Sequence, residues 1–212
     1  MSAGISALHT YMTEPKTSFV SAILLAAGKS ERMGQNKLLL PWGGGTVLQR
    51  TLDNLLASRA GEVIVVLGSR AQEINETIGD RKVVVVMNPD YTRGMSTSLL
   101  TGLGMVSQGA RFILVALGDQ PLITTHIYNK LIEAALSTDK GMIVPTYKGE
   151  RGNPILISTG YRADLRGQSG DIGGRELLKA YPDDVLEVPI DSESVLVNIN
   201  TKEEYEKRLK AL

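Results

Sequence analysis

The chain has 212 residues, 42% hydrophobic and 22% charged, which is enough to bury a sizeable core without staples. Lysine plus arginine balances aspartate plus glutamate at 23 each, so no net field gathers nucleic acid, and any anion must be held by local groups. The absence of cysteine excludes disulfides, thiolate metal sites and a cysteine nucleophile, and it fits a cytoplasmic protein.

No apolar run approaches the roughly 20 residues of a membrane span, and no basic stretch followed by an apolar one marks a signal peptide. Residues 1–18 mix small and polar types without a period. They read as an N-terminal tail, or as a leader to a start at Met12. Residues 19–212 read as one domain. FVSAILLA at Phe19–Ala26 is a short apolar run suited to a buried strand, and EVIVVLG (Glu62–Gly68), KVVVVMN (Lys82–Asn88) and FILVALGD (Phe112–Asp119) repeat it. Between these runs, Thr46–Ser58, Ala71–Ile78, Ser96–Val106 and Thr124–Leu136 carry apolar residues at helical spacing. Alternating strands and helices predict a mostly parallel sheet covered on both faces. Met142–Tyr147 and Ile155–Ser158, separated by KGERGN, predict a hairpin-like or antiparallel insertion. A Gly-rich loop (Arg166–Gly174), a helix near Arg175–Ala180, short strands at Val185–Val188 and Val195–Ile199, and a charged helix from Lys202 complete the chain.

Ligands of open parallel sheets bind beyond the carboxyl ends of the strands, so the loops there are the place to look for chemistry. The first is LAAGKSERMGQNK, Leu25–Lys37. It is not a P-loop, because the position five before Gly28 is Ile23, and no G-x-G-x-x-G fingerprint follows the strand. Small Ala26, Ala27 and Gly28 let backbone N–H groups approach a ligand closely. Arg32 and Lys37 suit a triphosphate, or they belong to a solvated basic turn. Asp119 in Gly118–Pro121 stands where a carboxylate could hold magnesium, or it caps the next helix, a task for which Thr124 and Thr125 are also available. In VNINT (Val197–Thr201), Asn198 and Asn200 fall on one face of the expected strand and could complete a magnesium shell; the alternative is that the segment starts a helix. His9 lies in the tail, and His126 lacks an evident catalytic partner.

Taken together, LAAGKSERMGQNK, KLLLPWGGGTVLQRTLDNL and GDQP resemble the MobA-like NTP-transferase family. NPDYTRGMSTSLLTGL, ERGNPILIS and GDIGGRELL resemble its molybdenum-cofactor cytidylyltransferase branch, and the likeness runs from about Ser21 to Tyr205. The resemblance implies a three-layer, Rossmann-like nucleotide-diphospho-sugar-transferase fold with a mostly parallel sheet and an antiparallel insertion. It implies transfer of CMP from CTP to the molybdopterin cofactor with release of pyrophosphate, with Mg2+ as cofactor and a molybdoenzyme as possible client. Leu25, Ala26, Ala27 and Gly28 would then line the cytidine, with Asn88 and Ser96 near base and ribose. Arg32 and Lys37 would bind the triphosphate, and Asp119 would hold magnesium. Arg151, Gly152, Asn153, Asp171 and Arg175 would face the pterin. Without the family, Arg151–Pro154 reads as a turn and Asp171–Arg175 as a loop before a helix. The chain carries NINTKEE where related cytidylyltransferases carry a DIDTPED-like aspartate pair, a feature shared with the guanylyltransferase branch. That branch, however, begins LAGG rather than LAAG. Guanylyl transfer, another small acceptor such as a sugar phosphate, and a cofactor-binding accessory protein are the alternative readings. The expected chemistry is in-line attack by the acceptor's phosphate on the α-phosphorus. It needs no general base, because the attacking group is already ionised.

Overall fold

In the computed structural model, which describes residues 20–29, 36–167 and 174–210, the first apolar run forms β1 (Val20–Ala26), buried along its whole length. A 3-10 turn (Lys37–Leu39) leads into a small antiparallel hairpin of β2 (Pro41–Trp42) and β3 (Gly45–Thr46). Next come α1 (Val47–Leu56), β4 (Glu62–Leu67), α2 (Ala71–Ile78), β5 (Val84–Met87), α3 (Met95–Leu103), β6 (Phe112–Leu117) and α4 (Thr125–Leu136). The second half holds β7 (Met142–Tyr147), β8 (Glu150–Arg151), β9 (Ile155–Ser158), α5 (Arg162–Arg166), α6 (Arg175–Ala180), β10 (Val185–Pro189) and α7 (Lys202–Leu209).

Among the described residues, one eight-stranded sheet runs β10-β7-β9-β6-β1-β4-β5, with β8 joined to β7. β1 pairs in parallel with β4 and β6, β4 with β5, and β7 with β10. β9 lies antiparallel between β6 and β7. The insertion expected around KGERGN is therefore real: the chain reverses at Lys148 and Gly149, both at positive φ, and β9 returns into the sheet against its neighbours. The strand period of two divides β1 cleanly. Val20, Ala22, Leu24 and Ala26 enter one core with Leu48, Leu52 and Leu55 of α1 and Tyr128 and Leu131 of α4. Ile23 and Leu25 enter a second core with Leu99 and Leu103 of α3 and Leu177 and Leu178 of α6. Helices on both faces of a mostly parallel sheet make the three-layer, Rossmann-like arrangement that the alternation of elements predicts.

Two expectations need correction. The Lys82–Asn88 run suits a buried strand, yet β5 is an edge strand that leaves Val84, Val85 and Met87 37%, 38% and 53% exposed. Hydrophobicity set the strand, while topology left one side of it uncovered. Val195–Ile199 is not a strand but a 3-10 turn (Glu193–Leu196) followed by irregular chain. Its backbone groups find separate tertiary partners instead of a ladder. Asn153 N–H donates to Val195 O at 2.8 Å, and Ile199 N–H donates to Asp119 O at 3.0 Å. A small third core of Leu40, Trp42, Val47 and Ile199, with Leu122 and Tyr205 against it, ties this segment to the hairpin and to α7. Tyr205 also donates to Pro41 O at 2.7 Å.

Candidate active site

The order of the sheet reverses at β1, with β4 on one side and β6 on the other, and a cleft of about 770 Å3 opens at the carboxyl ends of β1 and β6. Leu25, Ala26, Ala27 and Gly28, predicted to meet a nucleotide, line it. Gly68 lets this wall close: a Cβ there would stand 2.6 Å from Tyr91 Cβ and 2.8 Å from Ala27 Cβ. Tyr91 can therefore lean over the strand end, and Tyr91–Met95 with Ser98 form the opposite wall.

Asn88 and Ser96 take places other than the lining. Asn88 is buried behind it, where its Nδ2 donates to Thr97 Oγ1 and Ser98 Oγ, both at 2.9 Å, and its Oδ1 accepts from Asp90 N–H at 3.0 Å. It shapes the loop that presents Tyr91–Met95. Ser96 is buried on the inward side of α3, while its neighbours Met95 and Ser98 reach the cleft.

At the floor, Lys37 forms an ion pair with Asp119 and donates to Asn200 Oδ1 at 2.8 Å. The side chains of Lys37 and Asp119 are 18% and 11% exposed, so water screens this pair less than one on the open surface. Each member is fixed from behind. Asn36 caps the 3-10 turn that carries Lys37, accepting from Leu38 N–H at 3.0 Å, and Leu38 is buried. Asp119 does not cap α4. That role belongs to Thr124, whose Oγ1 accepts from Ile127 N–H at 3.5 Å, and the Asp119 carboxylate faces the cleft. Asn198 and Asn200 flank fully buried Ile199, so both reach the cleft without a strand to align them. Their environments differ. Asn200 Oδ1 meets Lys37, whereas Asn198 Oδ1 accepts from Gln120 Nε2 at 2.7 Å. The helix-start reading of VNINT also holds, since Thr201 Oγ1 accepts from Glu204 N–H at 3.1 Å and caps α7.

A second cavity, about 510 Å3, adjoins the first and shares Asn198 and Asn200 with it. Arg151, Gly152, Asn153 and Arg175, predicted to face an acceptor, line it. Arg151 is held by Glu187 at 2.7 Å. Gly152 N–H donates to Pro145 O at 2.8 Å, and any Cβ there would stand 2.3 Å from Val195 O, so only glycine allows this approach. Arg208 of α7 joins the wall and is held by Glu204 and Glu193. The Arg208 guanidinium holds the Glu193 carboxyl below its ordinary range. Nothing in the sequence flags Arg208, whose helix reads as a solvated charged face, and Gln120 stands in the GDQP motif with no role of its own assigned to it. Tyr91–Met95 could be found from their loop at the end of β5. Arg32 and Asp171 lie outside the described residues. His126 is exposed on α4 and is not part of either lining.

The sheet order, the cleft at its reversal and the basic and acidic groups on the cleft floor define a Rossmann-like nucleotidyltransferase scaffold. The chain belongs to the MobA-like NTP transferase family, whose domain matches residues 22–185. It is 31% identical to the molybdenum cofactor cytidylyltransferase of Escherichia coli, over 89% of this chain and 94% of that protein. It is 32% identical to the nicotine blue oxidoreductase of Paenarthrobacter nicotinovorans, over 87% and 94% of the two chains. Among solved structures, Rv0371c of Mycobacterium tuberculosis H37Rv superposes with a TM-score of 0.83 at 28% identity, covering 91% of this chain and 98% of its own. The same protein in complex with manganese superposes at 0.78 with 25% identity, covering 92% of this chain and 100% of that one. Among the described residues, no helix is long and apolar enough to cross a membrane.

Proposed function

We propose that the protein is a molybdenum cofactor cytidylyltransferase that moves CMP from CTP to the molybdopterin cofactor and releases pyrophosphate. The observation that carries this reading is the pair of adjoining cavities that share Asn198 and Asn200, with Lys37 and Asp119 lining the first. A transfer between two phosphate-bearing substrates needs two pockets that meet where the reacting phosphorus sits. Relatives with different reactions show similar identity, so the residues of the two cavities must choose the reaction. Arg151, Arg175 and Arg208 on the second lining suit a phosphate-bearing acceptor.

In this reading Leu25–Gly28 offer backbone to the nucleoside and Lys37 neutralises the triphosphate. Asp119 and Asn200 would hold magnesium, and Asn198 supports them through Gln120. The donors fit that ion. They are hard oxygens with one carboxylate, and among the described residues no group of three or more histidine, cysteine, aspartate or glutamate side chains forms a closed cage. Magnesium bound mainly through substrate phosphates and water needs no such cage. When bound, magnesium supplies positive charge against phosphate oxygens at the reacting centre. The remaining work is positioning and fixed charge from the protein: Lys37 on the triphosphate and Arg151 with Arg175 on the acceptor, aligned for in-line attack. The ionised acceptor phosphate gives up no proton on attack, so neither cavity has to supply a base.

The test is pyrophosphate release by the purified protein with magnesium and molybdopterin cofactor, comparing CTP, GTP, ATP and UTP. Release with CTP supports cytidylyl transfer. Release with GTP alone would move the protein to guanylyl transfer, for which the Asn198–Asn200 pair is the supporting observation. NTP binding without release from any of the four would leave an accessory, cofactor-binding role.

A further inference from the structure

The ammonium of Lys37 already sits on two oxygens that a divalent cation would use, Asp119 Oδ2 and Asn200 Oδ1. Its Nζ bonds the Asp119 carboxylate and Asn200 Oδ1 together. A divalent cation held between those two oxygens would lie a few ångströms from the ammonium, and like charges that close on a partly buried floor repel, which weakens its binding. The single negative charge of Asp119 is already balanced by Lys37. Asn200, being neutral, adds none. An aspartate at position 200 would leave the group with a net negative charge and an attraction for free cations.

We infer that Lys37 is a placeholder: in the nucleotide-free protein it closes the Asp119–Asn200 oxygens to divalent cations, and a triphosphate opens them by drawing the ammonium onto its own oxygens. The inference rests on reading the cleft as a nucleotide site. Geometry permits the exchange. The backbone at Lys37 is held by the Asn36 cap and buried Leu38, so the flexible four-carbon side chain is what moves. Asn200 stays in place when the ammonium leaves, because buried Ile199 and the Thr201 cap pin it on either side. Asp119 is pinned by the Ile199 N–H on its own carbonyl. The protein then takes its cation together with the nucleotide and not ahead of it, and each raises the affinity for the other by the same factor.

The experiment titrates the full-length, nucleotide-free protein with Mn2+ and follows the paramagnetic signal of the free ion. Lys37→Gln should bind Mn2+ at least tenfold more tightly than wild type, and Asn200→Asp should also gain affinity. Adding Asp119→Asn to Lys37→Gln should erase the gain. Thermal melts establish that each variant is folded, and Lys37→Met replaces Lys37→Gln if the latter is not. An affinity for Mn2+ within twofold of wild type in the folded Lys37 variant overturns the inference. So does a gain that survives loss of the Asp119 carboxylate. Calorimetric titration of wild type with CTP tests the underlying reading separately: no CTP binding removes the nucleotide site, whatever the Mn2+ titrations give.

Discussion

Gln120 Nε2 donates to Asn198 Oδ1 at 2.7 Å and to Val197 O at 3.3 Å from a position only 1% exposed. This bond, with Ile199 N–H on Asp119 O, fastens the end of β6 to the segment that both cavities share. Gln120→Leu leaves two acceptors without their donor and should cost about 1–3 kcal/mol of stability. Its turnover should fall more than its CTP affinity, because the wall between the cavities loosens while Leu25–Gly28 stay in place. Denaturant titration and calorimetry with CTP check the two halves.

Ile199 is fully buried between the two asparagines. Ile199→Val should cost about 0.5–1.5 kcal/mol and Ile199→Ala about 2–5 kcal/mol. Only the alanine variant should also lose turnover, since the cavity it leaves lets Asn200 drift from Asp119, its proposed partner in holding magnesium. Equal turnover in both variants, at temperatures where both are folded, would detach Asn200 from the chemistry.

Gly152→Ala places a methyl against the backbone of Val195, which cannot swing aside as a side-chain tip could. The variant should raise the acceptor KM about tenfold or more, the size of effect expected when a substrate is misplaced, while CTP affinity stays within twofold. Steady-state kinetics in each substrate separate the cavities.

Tyr161 donates to Asp184, and this bond, with burial and the carboxylate charge, lifts the phenol to about 12 from an ordinary value of 10. A raised folded value means the stabilisation is complete below the unfolded value near 10 and is lost as pH rises through about 12. Tyr161→Phe should therefore melt below wild type at neutral pH, and the gap should close across that alkaline window. Melting curves taken at neutral and alkaline pH check the sign; a gap that widens with alkalinity would refute it.

Most of the sheet was legible in the sequence because short apolar runs and helical spacing depend on local pattern. The parallel strands fall on expected runs, β10 passing the end of its run by one residue, and the antiparallel β9 follows from its turn-rich neighbour KGERGN. What was not legible depends on contacts far apart in the chain. The Val195–Ile199 segment reads as a strand from its alternation, yet it is held irregular by Asp119 and Asn153, and Ile199 anchors it to Trp42's core. Asp119 was legible as a carboxylate just past the end of β6, and Lys37 as the last residue of the loop that follows β1. Gln120 and Arg208 were not, since each acts through a partner more than a dozen residues away or lies on a helix face that reads as solvated.

In the proposed transfer the two cavities join a nucleotide to an acceptor. The most direct measurement follows CTP labelled at its α-phosphate, with magnesium and molybdopterin cofactor, in wild type and Asp119→Ala. Label should move to the acceptor in step with pyrophosphate release, and Asp119→Ala should slow it about 10²–10³-fold. Label that stays on CTP in a protein that binds both substrates would contradict this transfer, and full transfer by Asp119→Ala would contradict the role of Asp119.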